Sequence, residues 1–322
     1  MNNKELLKAI KGECDNMSIR FPAEIEFSTL GKKLQIKITG HAFFNNMQTD
    51  GAAFEGWAVC LKAWLPEIIN EVELAWNTPQ EKEDNDNKWL HFHRFLYRAL
   101  RFNELYDWFS ISKDNQSEIN TFKEELVGLQ NNSFSSKPEL KGEKDKDSGR
   151  YKLSETVLEY ILATNFSTLV EKEFDLDFID RQFPVGVKKN GEPFFTGSMS
   201  AIDLWGTKND IVTIIELKYN GKAPNIRVGI ISELFMYSCI MRDLLKGFIS
   251  MPDSTPKKNE LMFYENCKKK HYHSINARML SDKFHPLVNN KQVFDILNHQ
   301  TIGVADIHIV YYKNTYKLFE IE

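Results

Sequence analysis

Residues 203–218 read DLWGTKNDIVTIIELK, and their pattern decides the fold class. The run from Ile211 to Lys218 is rich in β-branched residues and fits an extended strand. Side chains alternate faces along a strand, so Glu216 and Lys218 point the same way, about 6–7 Å apart. Leu217 goes to the other face with Ile215, Thr213 and Ile211. A glutamate and a lysine at the end of a buried strand are costly unless they pair, bind metal or lie at an edge. Just upstream, Lys208-Asn209-Asp210 reads as a hairpin turn.

Working outward, the second half of the chain opens on a helix. Ser154 is its expected N-cap, and Glu155 suits the positive helix start, with the helix running to about Thr164. Strand-like stretches follow at 173–187 and 192–205. A long helix is expected from about 225 to 246, stopped by Gly247. Residues 302–312 and 315–321 read as a terminal hairpin around Lys313-Asn314. Residues 131–150, NNSFSSKPELKGEKDKDSGR, hold almost no apolar side chains and read as a linker. That places an N-terminal domain at 1–130 and a second domain at 151–322.

In the first half, 24–39 alternate polar and apolar on both sides of Gly31-Lys32-Lys33, which predicts a β-hairpin. Residues 52–76 read as helical, with Phe54, Trp57, Leu61, Trp64 and Leu65 at helical spacing and a bend at Pro66. A polar loop at 77–88 precedes an amphipathic helix through WLHFHRFLYRALRFNELYDWF, and 118–130 adds one more helix. The expected fold class is α/β, or α+β overall: a hairpin-plus-helices half, then a mixed sheet flanked by helices.

Composition excludes several classes. The chain has 322 residues, enough for two ordinary domains. Its four cysteines are scattered with no CxxC pair, which argues against a disulfide framework and cysteine-bound zinc and fits a reducing cytoplasm. No apolar run approaches membrane-spanning length, and the first residues lack a signal-peptide core, so no membrane role is expected. Net charge is −4, which excludes a globally basic nucleic-acid binder. Charge is uneven, however: residues 242–291 hold ten cations, Lys268, Lys269 and Lys270 among them, against five acids. That stretch is either a phosphate-binding surface or a solvated loop.

Two acids and a lysine suit metal-dependent phosphodiester hydrolysis. Magnesium takes a few carboxylates, a carbonyl oxygen and several waters. Asp203 and Glu216 supply the carboxylates of such a set, the Leu217 carbonyl a further oxygen, and Lys218 a charge beside the reacting phosphate. This arrangement resembles the PD-(D/E)XK nuclease superfamily, the restriction-endonuclease-like fold. The helix LSETVLEYILATN is similar to that family's first core helix, with Glu155 as its acid. Glu233-Leu234-Phe235-Met236-Tyr237 resembles the QxxxY element of the RecB-like and mismatch-endonuclease branches, and Arg181-Gln182 looks like the latter. The resemblance covers about residues 150–247. Ile202 stands where the name-giving proline would be, and Glu233 replaces the glutamine.

The resemblance implies an endonuclease using Mg2+ or Mn2+, with Asp203, Glu216 and Leu217 at the metal and Glu155 and Lys218 assisting. Glu233, Tyr237, Lys268, Lys269 and Lys270 would meet the substrate. DNA is favoured over RNA, in defence, restriction or repair. A homodimer, and a protein partner for the N-terminal half, are left open. The alternative is a non-catalytic nucleic-acid- or protein-binding protein on the same scaffold, with Glu216 and Lys218 as an edge-strand ion pair. Asp203 would then be a turn residue, and Glu155 would serve only the helix start. Glu159 is a competing acid to Glu155. His91 and His93 do not share a helix face and carry no metal expectation. Arg94, Arg98 and Arg101 form either a basic stripe for nucleic acid or a solvated helix face.

Overall fold

The computed structural model describes residues 1–39, 42–79, 86–132, 154–197, 200–219, 228–252, 258–303 and 306–316, with backbone alone at 86–88. Helix α1 (Asn3–Glu13) opens the chain behind a capping box in which Asn2 and Glu5 exchange side-chain and backbone bonds. The expected hairpin follows as β1 (Ile25–Leu30) and β2 (Lys33–Ile38), turning at Gly31 with φ +58°. Next come α2 (Phe54–Trp64), β3 (Glu71–Trp76), α3 (Asp86–Leu105), β4 (Phe109–Ile111), α4 (Gln116–Glu125) and β5 (Leu129–Asn131). The helical reading of 52–76 is therefore half right. Glu71–Trp76 alternates, with Val72, Leu74 and Trp76 buried, and it lies parallel beside β2. Strands β1-β2-β3-β4 form one mixed sheet.

The second half begins at α5 (Glu155–Thr164), capped as expected by Ser154, whose Oγ accepts from the Val157 amide at 3.3 Å. Then follow α6 (Ser167–Phe174), β6 (Phe178–Pro184), β7 (Val187–Lys189), β8 (Glu192–Pro193), β9 (Ala201–Lys208), β10 (Ile211–Lys218), α7 (Gly229–Leu245), β11 (Ile249–Ser250), α8 (Lys258–Lys268), β12 (Ser274–Ser281), α9 (Lys291–Asn298) and β13 (His308–Thr315). The main sheet has the order β13-β12-β10-β9-β6, so β10 is central and not an edge. It pairs antiparallel with β9 and parallel with β12. The class is mixed α/β, as expected. No terminal hairpin turns at Lys313-Asn314: both residues sit within β13, in register with Met279 and Leu280. The linker positions 133–150, the hairpin's second arm beyond 316 and helix residues 225–227 lie outside the described residues.

Two apolar layers cover the main sheet. On one face, Leu158 and Leu162 of α5 and Val170 and Phe174 of α6 pack on Leu204, Ile215 and Leu217. On the other lies α7, and all 17 of its residues are buried. That burial explains its apolar sequence on every side. Its outer surface is covered by α2 and α3, so one continuous core runs through both halves of the chain. The small sheet β11-β5-β7-β8 also mixes strands from both halves. The candidate linker thus separates segments in sequence that share one core.

Charged pairs lie within this seam. Arg98 is 2% exposed, bonding Glu55 at 3.2 Å and the Ala52 carbonyl at 2.8 Å, and Glu55 accepts from Ser232 of α7. Arg101 bonds Asp243 of α7 at 2.8 Å, and Tyr97 donates to the same oxygen. Neither arginine lies on a solvated face or a nucleic-acid stripe, because both meet carboxylates distant in sequence. Breaking such a pair from one side costs about 3–5 kcal/mol.

A close backbone approach in the seam is at Gly56 of α2, where an added Cβ would meet the Val228 carbonyl oxygen at 2.4 Å. Gly56→Ala is expected to destabilise the fold by about 2 kcal/mol in urea unfolding, overpacking outweighing the helix-propensity gain. Gly12→Ala in α1, where nothing lies within 4 Å, should instead stabilise by about 0.5 kcal/mol. Equal effects at the two positions would contradict this packing.

Candidate active site

The acids converge at the C-terminal end of β10. The β9–β10 ladder runs to Leu204↔Ile215, and continuing its register sets Asp203 across from Glu216. Directly opposed residues share a face, here that of Trp205 and Ile214, which looks toward α7. Asp203 is mid-strand, not a turn residue, and its Oδ2 accepts from the Leu217 amide at 2.9 Å. Gln182 lies across from it in β6 with φ +57°, a conformation few non-glycine residues adopt.

Lys218 is 6% exposed, and three carboxylates hold it. Its Nζ lies 2.6 Å from Glu216, 3.0 Å from Glu233 and 3.5 Å from Glu155. Glu233 comes from α7, together with Tyr237, whose hydroxyl lies 3.5 Å from Glu233 Oε1. Glu155 comes from the first turn of α5, and its other oxygen accepts from the Tyr219 amide at 3.4 Å. Helix start, strand end and buried helix thus meet on one ammonium group. Glu159 is elsewhere, 2.9 Å from Arg181 and 2.8 Å from Gln182, so it does not compete.

Burial and crowding set the protonation of this cluster. Burial pushes the Asp203 carboxyl up to about 7, with Glu233 and Glu155 adding to the rise and Lys218 and the Leu217 amide opposing it. Burial also drives Glu216 well above the usual carboxylate range, reinforced by Asp203 and Glu233. Burial works against the Lys218 charge, but Glu216, Glu233, Asp203 and Glu155 outweigh it and hold the ammonium firmly protonated. For Glu233 burial is likewise overcome, chiefly by Lys218, so it stays ionised. Four carboxyl groups around one ammonium leave a surplus of negative charge, and a hydrogen bond between the Glu216 and Glu233 carboxyl groups raises the first and lowers the second. Once deprotonated, Asp203 and Glu216 would offer, with the Leu217 carbonyl, the hard oxygen donors that a divalent cation takes. Among the described residues, no three His, Cys, Asp or Glu side chains converge as a metal-holding group.

The expected substrate lysines are not brought here. Lys268, Lys269 and Lys270 are exposed at the end of α8, where the His271 ring meets the Asn209 carbonyl at 2.8 Å. They precede Ser274, which pairs with Ile211, whereas Glu216 pairs with Met279. Five strand residues separate the two positions, about 17 Å. Two contacts escaped sequence reasoning. Gln48 donates its amide to Glu233 Oε1, and the Tyr316 hydroxyl donates to the Lys218 carbonyl at 3.1 Å. Gln48 lies in a turn-rich segment 185 positions away from Glu233, and no local pattern marks it.

The four cysteines are free, and no described helix is long and apolar enough to cross a membrane. No family model, no curated protein and no solved structure matches the chain.

The Asp203 shift has a sign. Its folded value near 7 exceeds the usual value near 3.9, so between these the folded state binds more protons than the unfolded chain. Its contribution to stability is then lost as pH rises through about 7. In metal-free protein, Asp203→Asn, which keeps an acceptor for the Leu217 amide, should flatten the fall in urea midpoint between about pH 5 and about pH 8. A wild-type slope retained by the variant would disprove the assignment.

Proposed function

We propose that this chain is a metal-dependent phosphodiester hydrolase of the PD-(D/E)XK type, acting on nucleic acid, with DNA as the first substrate to test. The observation that carries this reading is the meeting of Asp203, Glu216, Lys218, Glu155 and Glu233 at one end of a central strand. A mixed sheet flanked by helices, with one helix before and one after the acid-bearing strand, also supports the restriction-endonuclease-like resemblance.

Asp203, Glu216 and the Leu217 carbonyl would hold Mg2+ or Mn2+. Such an ion supplies Lewis acidity and a more acidic bound water. The remaining chemistry belongs to the chain. Lys218, kept charged by its neighbours, stabilises negative charge growing on the phosphate oxygens. Glu155, half-buried at the rim, is the carboxylate placed to accept a proton from an incoming water. Glu233 fixes the Lys218 ammonium and is itself fixed by Gln48 and Tyr237.

A second reading draws on one observation. Lys218 already occupies three carboxylates, and no three-ligand group converges among the described residues. On that reading the cluster is structural, and the chain binds nucleic acid or a protein partner without cutting.

Incubation with plasmid, linear and single-stranded DNA in Mg2+ or Mn2+ separates the two. Cleavage should need the metal and fall by at least about 100-fold in both Asp203→Ala and Lys218→Ala. Cleavage equal in wild type and both variants, or absent from all substrates including RNA, would sink the hydrolase reading.

A further inference from the structure

Four carboxyl groups around one ammonium leave a net negative site that repels a phosphodiester, so a nucleic-acid substrate needs cationic help beyond Lys218. The face of α3 that runs along α7 carries three arginines in step: Arg94, Arg98 and Arg101. The last two are neutralised by Glu55 and by Asp243 with Glu104. Arg94 differs. It is half-buried, and among the described residues no carboxylate lies within 4.0 Å of it. Its Nε donates to the Phe195 carbonyl at 3.0 Å. That carbonyl is itself fixed, because the Phe195 ring stacks on Tyr97, one turn along α3, at 4.4 Å. Arg98, one turn further along α3, bonds Glu55, which accepts from Ser232, the neighbour of Glu233 on α7, and the Glu233 carboxylate favours the Arg94 charge against its burial.

An arginine anchored through Nε alone keeps its two terminal nitrogens for a bidentate acceptor. That planar fork matches a phosphate group, where a lysine offers only a point charge. We infer that Arg94, delivered by the N-terminal half, binds a phosphate of the nucleic-acid backbone at the mouth of the acid cluster. This rests on the hydrolase reading and deepens it. The first half of the chain then contributes a substrate contact to the site, as it already contributes Gln48, which bonds Glu233.

The test uses the full chain in an Asp203→Asn background, which binds without cutting. Affinity for fluorescein-labelled duplex and single-stranded DNA is measured by anisotropy across a salt series in Mg2+. Adding Arg94→Met should weaken binding about tenfold, the worth of one charged hydrogen-bonded contact. It should also reduce the slope of log affinity against log salt by about 1, one phosphate contact. Arg94→Lys should keep the slope and lose part of the affinity. Should Arg94→Met fail to fold, Arg94→Gln, which retains a donor for the Phe195 carbonyl, carries the same expectation. Unchanged affinity and slope would overturn the role of Arg94 alone. Absence of any binding in the Asp203→Asn background, to DNA or RNA, would overturn the functional reading and this inference with it.

Discussion

A lysine ammonium with 6% exposure has to be compensated where it stands, and Lys218 sets the terms for everything around it. Its partners arrive from three elements: Glu216 from its own strand, Glu155 from the α5 start and Glu233 from α7. Each must be held to a fraction of an ångström for the buried charge to be tolerated. The fold does this by packing. α5 is pinned on one face of the sheet by Leu158 and Leu162, and α7 is buried on all sides on the other. The electrostatics therefore depend on the apolar layers that pin these two helices on the sheet. The cluster still carries more acid than base. Protonation of Glu216 is one relief, and the cation proposed above would be another, drawn by the same surplus charge.

Much of this was legible in the sequence, because local signals and tertiary structure agreed. Gly31 between two alternating runs gave the hairpin, IVTIIELK gave the central strand, and Ser154 gave a helix start. The same strand pattern put Glu216 and Lys218 side by side, and the i, i+4 spacing put Glu233 and Tyr237 on one face of α7. Failures occurred where a distant partner overrode a local pattern. EVELAW continues a helical-looking run, yet it becomes a strand because β2 offers an edge to pair with. Lys313-Asn314 has turn chemistry, but parallel pairing with β12 carries the chain straight through. Both residues sit on the outermost strand of the sheet, where polar side chains are readily accommodated.

The arginines of α3 make the same point about charge. Spacing alone put Arg94, Arg98 and Arg101 on one helix face, and a charged face is ordinarily solvated. What reverses the expectation is the position of Glu55 and Asp243, 43 and 142 residues away from their partners. No single-sequence pattern connects those positions. Lys268, Lys269 and Lys270 fail in the opposite sense. Their cluster is real in sequence, but the strand register sets it at the far end of the sheet from the acids.

The seam between the halves bears on how the first half and the acid cluster are linked. Had the first half been a tethered module, its contacts with α7 would be exposed and separable. Instead Glu55 with Ser232, and Tyr97 and Arg101 with Asp243, are hydrogen bonds in an interior where an unpaired partner is heavily penalised. α7 therefore cannot shift relative to α2 and α3 without breaking several of them together. Glu233 rides on that helix and meets Gln48 from the first half and Lys218 from the strand. The position of the Lys218 ammonium is therefore tied, through Glu233 and α7, to the packing of the first half.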